Sequence, residues 1–306
     1  MRVQRASRSC RCRIIAPIIR FVCTAVACGL LAAGSFAQDH SQFEHVRLER
    51  RAVIEKRLKS FADENQARES IIRRWFIESG CAKPNLSEES VKPAFPPNVI
   101  CALPGEMREV IVVGAHTDKV SSAGDGVVDN WSGAALLPSL LFSLNSLKRR
   151  HTFVFVGFTG EERGLLGSEY YVDHLSADER AHVEAMVNMD SLGLAPTKVW
   201  ASHADKALLD ALATVSASSK LPASTMNVDN LGTTDSESFA SYRIPRITLH
   251  SVTPEKMHIL HSTEDTLLAI HMDDYYDSYR LIAAYLAYLD GVLTSRSEGK
   301  GSVAPR

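Results

Sequence analysis

Apolar residues recur along this chain with two different periods, and the change from one to the other divides it. Between Glu44 and Glu78 they stand at helical spacing among charged positions, as Val53, Ile54, Leu58 and Phe61 and then Ile71, Ile72, Trp75 and Phe76, which predicts two helices. Gly80 ends the second. Pro84, Pro93, Pro96 and Pro97 make residues 82–97 an expected irregular loop. Beyond it, short β-branched runs alternate with longer helical patterns. Strands are predicted at residues 99–103, 110–115, 152–158, 183–189, 198–201 and 246–250, and helices at 131–147, 165–174, 205–218 and 273–293. This alternation predicts an α/β fold: a single domain over residues 44–293, with a mostly parallel mixed central sheet flanked by helices. No internal repeat, low-complexity tract or inserted second domain is visible, and the tail from 294 to 306 is expected to be disordered.

The first 37 residues do not share this pattern. Arg2, Arg5, Arg8, Arg11, Arg13 and Arg20 precede an uncharged apolar run from Phe21 to Ala33, which is the layout of a secretory signal peptide. Small residues at Ser35 and Ala37 place the cut before Gln38, so the protein is expected to be exported to the periplasm or the medium. The run is short for a bilayer span, and Ala25-Val26-Ala27 before Cys28 is a poor lipoprotein motif, so no stable membrane anchor is expected. Cleavage removes six of the 34 Lys plus Arg and none of the 36 Asp plus Glu. The remaining chain is mildly acidic, which argues against a nucleic-acid partner. Four of the six cysteines leave as well. Cys81 and Cys101 remain, either as a disulfide, the simpler state for an exported protein, or as two buried thiols. A disulfide requires their Cα atoms to lie roughly 4.4 to 6.8 Å apart.

The chemistry-bearing residues collect at predicted strand ends, where strand-helix proteins bind their ligands. Residues 111–115 run into His116-Thr117-Asp118, and the loop that follows carries Asp125 and Asp129. Residues 153–158 run into Thr159-Gly160-Glu161-Glu162, residues 187–189 into Asp190, and the strand ending at His250 leads to His261. His, Asp and Glu are donors that zinc accepts, and a pair of zincs needs a bridging carboxylate. Taken singly, a His-x-Asp is more often a solvated loop, and a Glu-Glu pair a charged helix start. Their joint occurrence, each at or just after a strand end, is harder to explain that way. Adjacent carboxylates also suit a division of labour in which one ligates a metal and the other takes a proton.

Ala115-His116-Thr117-Asp118, Asp129-Asn130-Trp131-Ser132-Gly133, Gly160-Glu161-Glu162, Asn188-Met189-Asp190 and His261-Ser262-Thr263-Glu264-Asp265-Thr266 resemble the successive metal motifs of metallopeptidase family twenty-eight. That family includes bacterial leucyl aminopeptidases and, as relatives, glutaminyl cyclases, and the resemblance runs from about residue 50 to 293. It implies the zinc exopeptidase architecture and two zinc ions per chain. His116 and Asp190 would bind one, Glu162 and His261 the other, and Asp129 would bridge them. Glu161 would be the general base, Asp118 would hold the His116 imidazole, and Asp265 would do the same for His261. A cis peptide between Asp129 and Asn130 is implied too. The expected partners are peptides with a free N-terminus. One departure concerns Thr234-Asp235-Ser236-Glu237-Ser238-Phe239, where the family often has Ser-Asp-His before Phe and this chain has Ser236 at the His position.

The remaining histidines have blander readings. His151, His174, His182, His203 and His271 are expected to be structural, while His250 and His258 lie nearer the motifs and are candidates to line a cleft. A glutaminyl cyclase with one zinc is the competing activity, although cyclases tend to carry Trp before the last ligand histidine, where this chain has Leu260. A non-catalytic binding module is the remaining alternative, and it would normally have lost a ligand or the base.

Overall fold

The computed structural model describes residues 46–120 and 124–293; the leader (1–37) and the tail (294–306) lie outside the described residues. Two helices come first, α1 (Arg51–Leu58) and α2 (Asn65–Glu78). Strands β1 (Leu86–Glu89), β2 (Asn98–Leu103) and β3 (Val110–His116) follow, then α3 (Ser132–Ala134), α4 (Leu137–Asn145) and β4 (Thr152–Phe158). Next come α5 (Leu166–His174), α6 (Ala177–Ala181), β5 (Val183–Met189), β6 (Lys198–Val199), α7 (Lys206–Ser219) and β7 (Ser224–Thr225). The chain closes with α8 (Ser236–Ala240), β8 (Arg246–His250) and α9 (Met272–Val292).

The strands form one eight-stranded sheet in the order β1-β2-β4-β3-β5-β8-β6-β7. Its centre, β4-β3-β5-β8, is parallel, and antiparallel pairs join β1 to β2, β2 to β4 and β6 to β8. Side chains alternate across the parallel strands, and each face has its own core. Ile111, Val113, Phe153, Phe155, Val187 and Leu249 belong to the core that includes α1, α2, α4, α7 and α9. Val112, Val156, Phe158 and Met186 turn the other way, towards Tyr171 and Val172 of α5 and Phe239 of α8. Burial on both faces is why these strands read as nearly unbroken apolar runs.

Two expectations are corrected in detail. The irregular stretch 82–97 contains β1, a polar edge strand pairing Leu86 with Cys101 through Glu89 with Asn98. The helix expected over 131–147 is interrupted after Ala134 and restarts at Leu137, because Pro138 has no N–H to give to the turn before it. Cys81 and Cys101 form a disulfide with their Cα atoms 6.2 Å apart, tying the end of α2 to β2. Among the described residues no helix is long and apolar enough to cross a membrane.

Candidate metal centre

The parallel strands deliver their polar ends to one place. His116 is the last residue of β3, Glu161 and Glu162 follow β4 after Gly160 in a left-handed conformation, and Asp190 follows β5 directly. Asp129 arrives on the loop before α3, where the Asp129-Asn130 peptide is cis, as expected. His261 comes from the irregular segment after β8. Among the described residues, His116, Glu161 and Glu162 form one cluster of donor atoms, His116, Asp129 and Asp190 a second, and Asp129, Glu162 and His261 a third, with every donor atom of a cluster within 4.8 Å of the rest. Asp129 belongs to the second and third. Its Oδ1 lies 3.1 Å from His116 Nε2 and its Oδ2 3.1 Å from His261 Nε2. His261 Nε2 also lies 3.1 Å from Glu162 Oε2, and His116 Nε2 lies 3.7 Å from Asp190 Oδ1.

These contacts fit a metal better than a set of ordinary hydrogen bonds. His116 Nδ1 lies 3.1 Å from the Asp118 carbonyl oxygen, which can only accept, so Nδ1 carries a proton. In the neutral ring Nε2 is then a lone pair, yet it points at the carboxylates of Asp129 and Asp190. A cation between them removes that conflict, and His, Asp and Glu are the donors zinc takes. Glu162 Oε1 is buried with no hydrogen-bond partner.

The crowding of acids shows in their protonation. Burial pushes the Glu161 carboxyl up to about 10, with the charges of Asp190, Asp235 and Asp129 adding to it, and burial raises Glu162 as well. Burial alone would lower His116, but the charge of Glu161 and the contacts with Asp118, Asp129 and Asp190 hold it well above the usual imidazole value. The contacts with Asp129 and Glu162 push His261 up to about 11. A bound cation inverts these balances, favouring ionised carboxylates and neutral rings. The His116 side chain is 1% exposed and that of His261 54% exposed, so the site opens to solvent on the His261 side.

Asp118 stays beside the His116 ring and has a second role, whereas Asp265 acts differently from the sequence expectation. The Asp118 carboxylate is 3.6 Å from His116 Nδ1, farther than its own backbone carbonyl, and it accepts the backbone N–H groups of Glu161 at 3.2 Å and Glu162 at 3.3 Å. It therefore joins the β3 end to the β4 end. Asp265 does not touch His261: its carboxylate accepts from the N–H groups of Val128 at 2.6 Å and Asp129 at 3.1 Å, fixing the loop that carries the shared aspartate. Burial lifts Asp265 to about 6. Other contributors were not singled out from sequence. Thr234 Oγ1 donates to Asp190 Oδ2 at 2.7 Å. Asn130 accepts from Gly133 N and Ser191 N and donates to the Met189 carbonyl. Arg68, fully buried, donates to the carbonyls of Asp125 and Gly126. A cation in line with Ile72 and Trp75, at i, i+4 and i+7 on the apolar side of α2, was the available signal for it.

Beside the metal centre lies a cavity of about 150 Å³, touched by Asp129, Glu161, Asp190 and His261 and walled by Trp200, Val228, Leu231, Val252, Met257 and Leu260. His250 lines it, with Nε2 donating to the Met226 carbonyl. His258 does not line it and pairs with Glu264 on the surface. His151 is buried against Asp290.

The model of peptidase family M28 matches residues 98–286. The chain belongs to that family. Leucine aminopeptidase 2 of Trichophyton equinum is 38% identical over 89 residues, which cover 29% of this chain and 18% of that protein. The chain thus spans less than a fifth of the curated relative it matches. Among solved structures, this M28 chain is similar to a zinc aminopeptidase from Bacillus subtilis, with a TM-score of 0.57 at 24% identity, covering 62% of this chain and 49% of that one. It is also similar to the glutaminyl cyclase of Porphyromonas gingivalis, with a TM-score of 0.61 at 18% identity, covering 77% and 95%. At such identities the two structures share its fold.

Proposed function

We propose that this protein is an exported zinc aminopeptidase that holds two zinc ions and removes N-terminal residues from peptides. The observation that carries the reading is the Asp129 carboxylate, with one oxygen turned to each donor cluster. His116 and Asp190 would complete one zinc site, and Glu162 and His261 the other. Bound zinc supplies Lewis acidity, polarising the scissile carbonyl and making water acidic enough to react near neutral pH. Glu161 lines the cavity and lies outside both clusters that share Asp129, although it groups with His116 and Glu162; in this reading its carboxylate takes a proton from water and returns it to the leaving amine. Asp118 holds the backbone of both glutamates in register with His116. The cavity has acids and His261 at its metal side and Trp200, Val228, Leu231, Val252, Met257 and Leu260 around it, which suits a free amine beside an apolar N-terminal side chain.

Zinc content and substrate choice test this together. Purified protein should hold two zincs per chain and hydrolyse leucyl p-nitroanilide but not its N-acetylated form. One zinc per chain with cyclisation of N-terminal glutamine would favour the cyclase reading, which the fold likeness to the P. gingivalis enzyme supports. Failure on every substrate at full zinc occupancy would defeat both.

A further inference from the structure

One wall of the cavity belongs to no helix or strand. Val228, Leu231 and Gly232 come from the loop between β7 and α8, and Trp200 stands beside them at the end of β6. Such a loop needs side chains to hold its distance from the sheet, and His203 stands at the joint. Its Nδ1 donates to Glu237 Oε1 at 2.7 Å, and its Nε2 lies 3.0 Å from Asp229 Oδ1. The ring therefore sits between two carboxylates, one on α8 and one on the loop, and bridges them. Glu237 is itself fixed by Arg246 of β8, with nitrogens 3.2 Å from its two oxygens. The chain of contacts therefore runs from the central sheet through Glu237 and His203 to Asp229. Asp229 Oδ1 also accepts from Trp200 Nε1 at 3.2 Å and from Ser202 Oγ at 2.9 Å. The Trp200 ring lies over the His203 ring with centroids 4.4 Å apart and planes 26° apart. The same imidazole thus backs the indole and anchors the loop, the two parts that form this wall.

We infer that His203 is a positioning residue which, through Asp229 and Trp200, sets the width of the cavity and so selects larger apolar N-terminal side chains over small ones. This rests on the aminopeptidase reading. A small side chain makes little contact with a distant wall, whereas a leucyl-sized group needs the wall in place, so loosening it should act on KM and unequally across substrates.

The test compares the zinc-loaded wild type with His203→Ala and Asp229→Asn, using leucyl and alanyl p-nitroanilides and amide hydrogen exchange. In both variants KM for the leucyl substrate should rise, by roughly three- to tenfold in His203→Ala, with kcat within about twofold and alanyl KM unchanged. Exchange should quicken in residues 226–233 and stay the same in the central strands. Equal changes for the two substrates, or unchanged exchange in that loop, would overturn the proposal. If the wild type cleaves neither anilide, the aminopeptidase reading fails separately, and the exchange comparison alone decides whether His203 holds the loop.

Discussion

Glu161 and Glu162 are adjacent in the chain but serve different surroundings. Glu162 Oε2 is 3.1 Å from His261 Nε2, whereas Glu161 faces the cavity. Their variants should fail differently. Glu161→Gln keeps size and polarity but cannot take a proton, so turnover should fall by roughly 10² to 10⁴ while zinc content stays unchanged. Glu162→Gln should lower zinc affinity, with activity partly restored by added zinc. Metal analysis beside kinetics checks both, and a zinc loss in Glu161→Gln but not in Glu162→Gln would reverse the assignment. His116, Glu161, Glu162 and Asp190 were legible because each sits at or just after the end of an apolar strand, whereas Asp129 and His261 stand on loops and were legible through the motif resemblance. Their supporters were less so. The resemblance pairs Asp265 with His261, but His261 has a φ of 57°, and the Asp265 carboxylate accepts instead from the backbone of Val128 and Asp129. Sequence distance says little where the backbone turns left-handed.

Elements repeat the lesson at larger size. The central strands were legible to within a residue or so because burial on both faces keeps them largely apolar, with the buried Glu184, Asn188 and Thr248 as exceptions. β1 was not, since Leu-Ser-Glu-Glu has no apolar alternation and is a strand only by pairing with β2. The break between α3 and α4 follows from Pro138, but the closeness of α3 to the sheet does not show in sequence. A Cβ on Gly133 would meet Asn130 Oδ1 at 2.6 Å, the Met189 carbonyl at 2.7 Å and Ala115 Cβ at 3.1 Å. The element that follows Asp129 thus sits directly on the ends of β3 and β5, and no side chain fits between them. Gly133→Ala should cost about 1 to 3 kcal/mol by overpacking, a fall in Tm of roughly 2 to 12 °C for a domain of this size. It should also weaken zinc binding, because Asn130 must move. Thermal melts with and without zinc check this, and an unchanged Tm would mean that the helix start has room to shift.

For the whole molecule, the alternation of strands and helices reveals the fold class but not the strand order. The order matters because it sets the ends of β4, β3, β5 and β8 side by side, and the acids they carry become mutual neighbours only in the folded chain. Asp118, Asp129, Glu161, Glu162 and Asp190 then share a small region with His116 and His261. Without a cation, folding must bury like charges or protonate them, and either opposes the native state. Zinc should therefore stabilise this fold through binding that the unfolded chain, with the proposed ligands dispersed from residue 116 to 261, matches poorly. At a free zinc concentration about a thousandfold above Kd, the gain is about 4.1 kcal/mol for one site, which corresponds to a rise in Tm of roughly 8 to 16 °C. The backbone should change little, since Asp118 and Asp265 hold the ligand-bearing segments by protein contacts alone. Chelator-treated protein should then keep the far-ultraviolet circular dichroism of the zinc-bound form while melting at a lower temperature. Equal melting temperatures in chelator and in excess zinc would show that the acid cluster is neutralised by the protein itself, and the metal reading of this site would fall with that result.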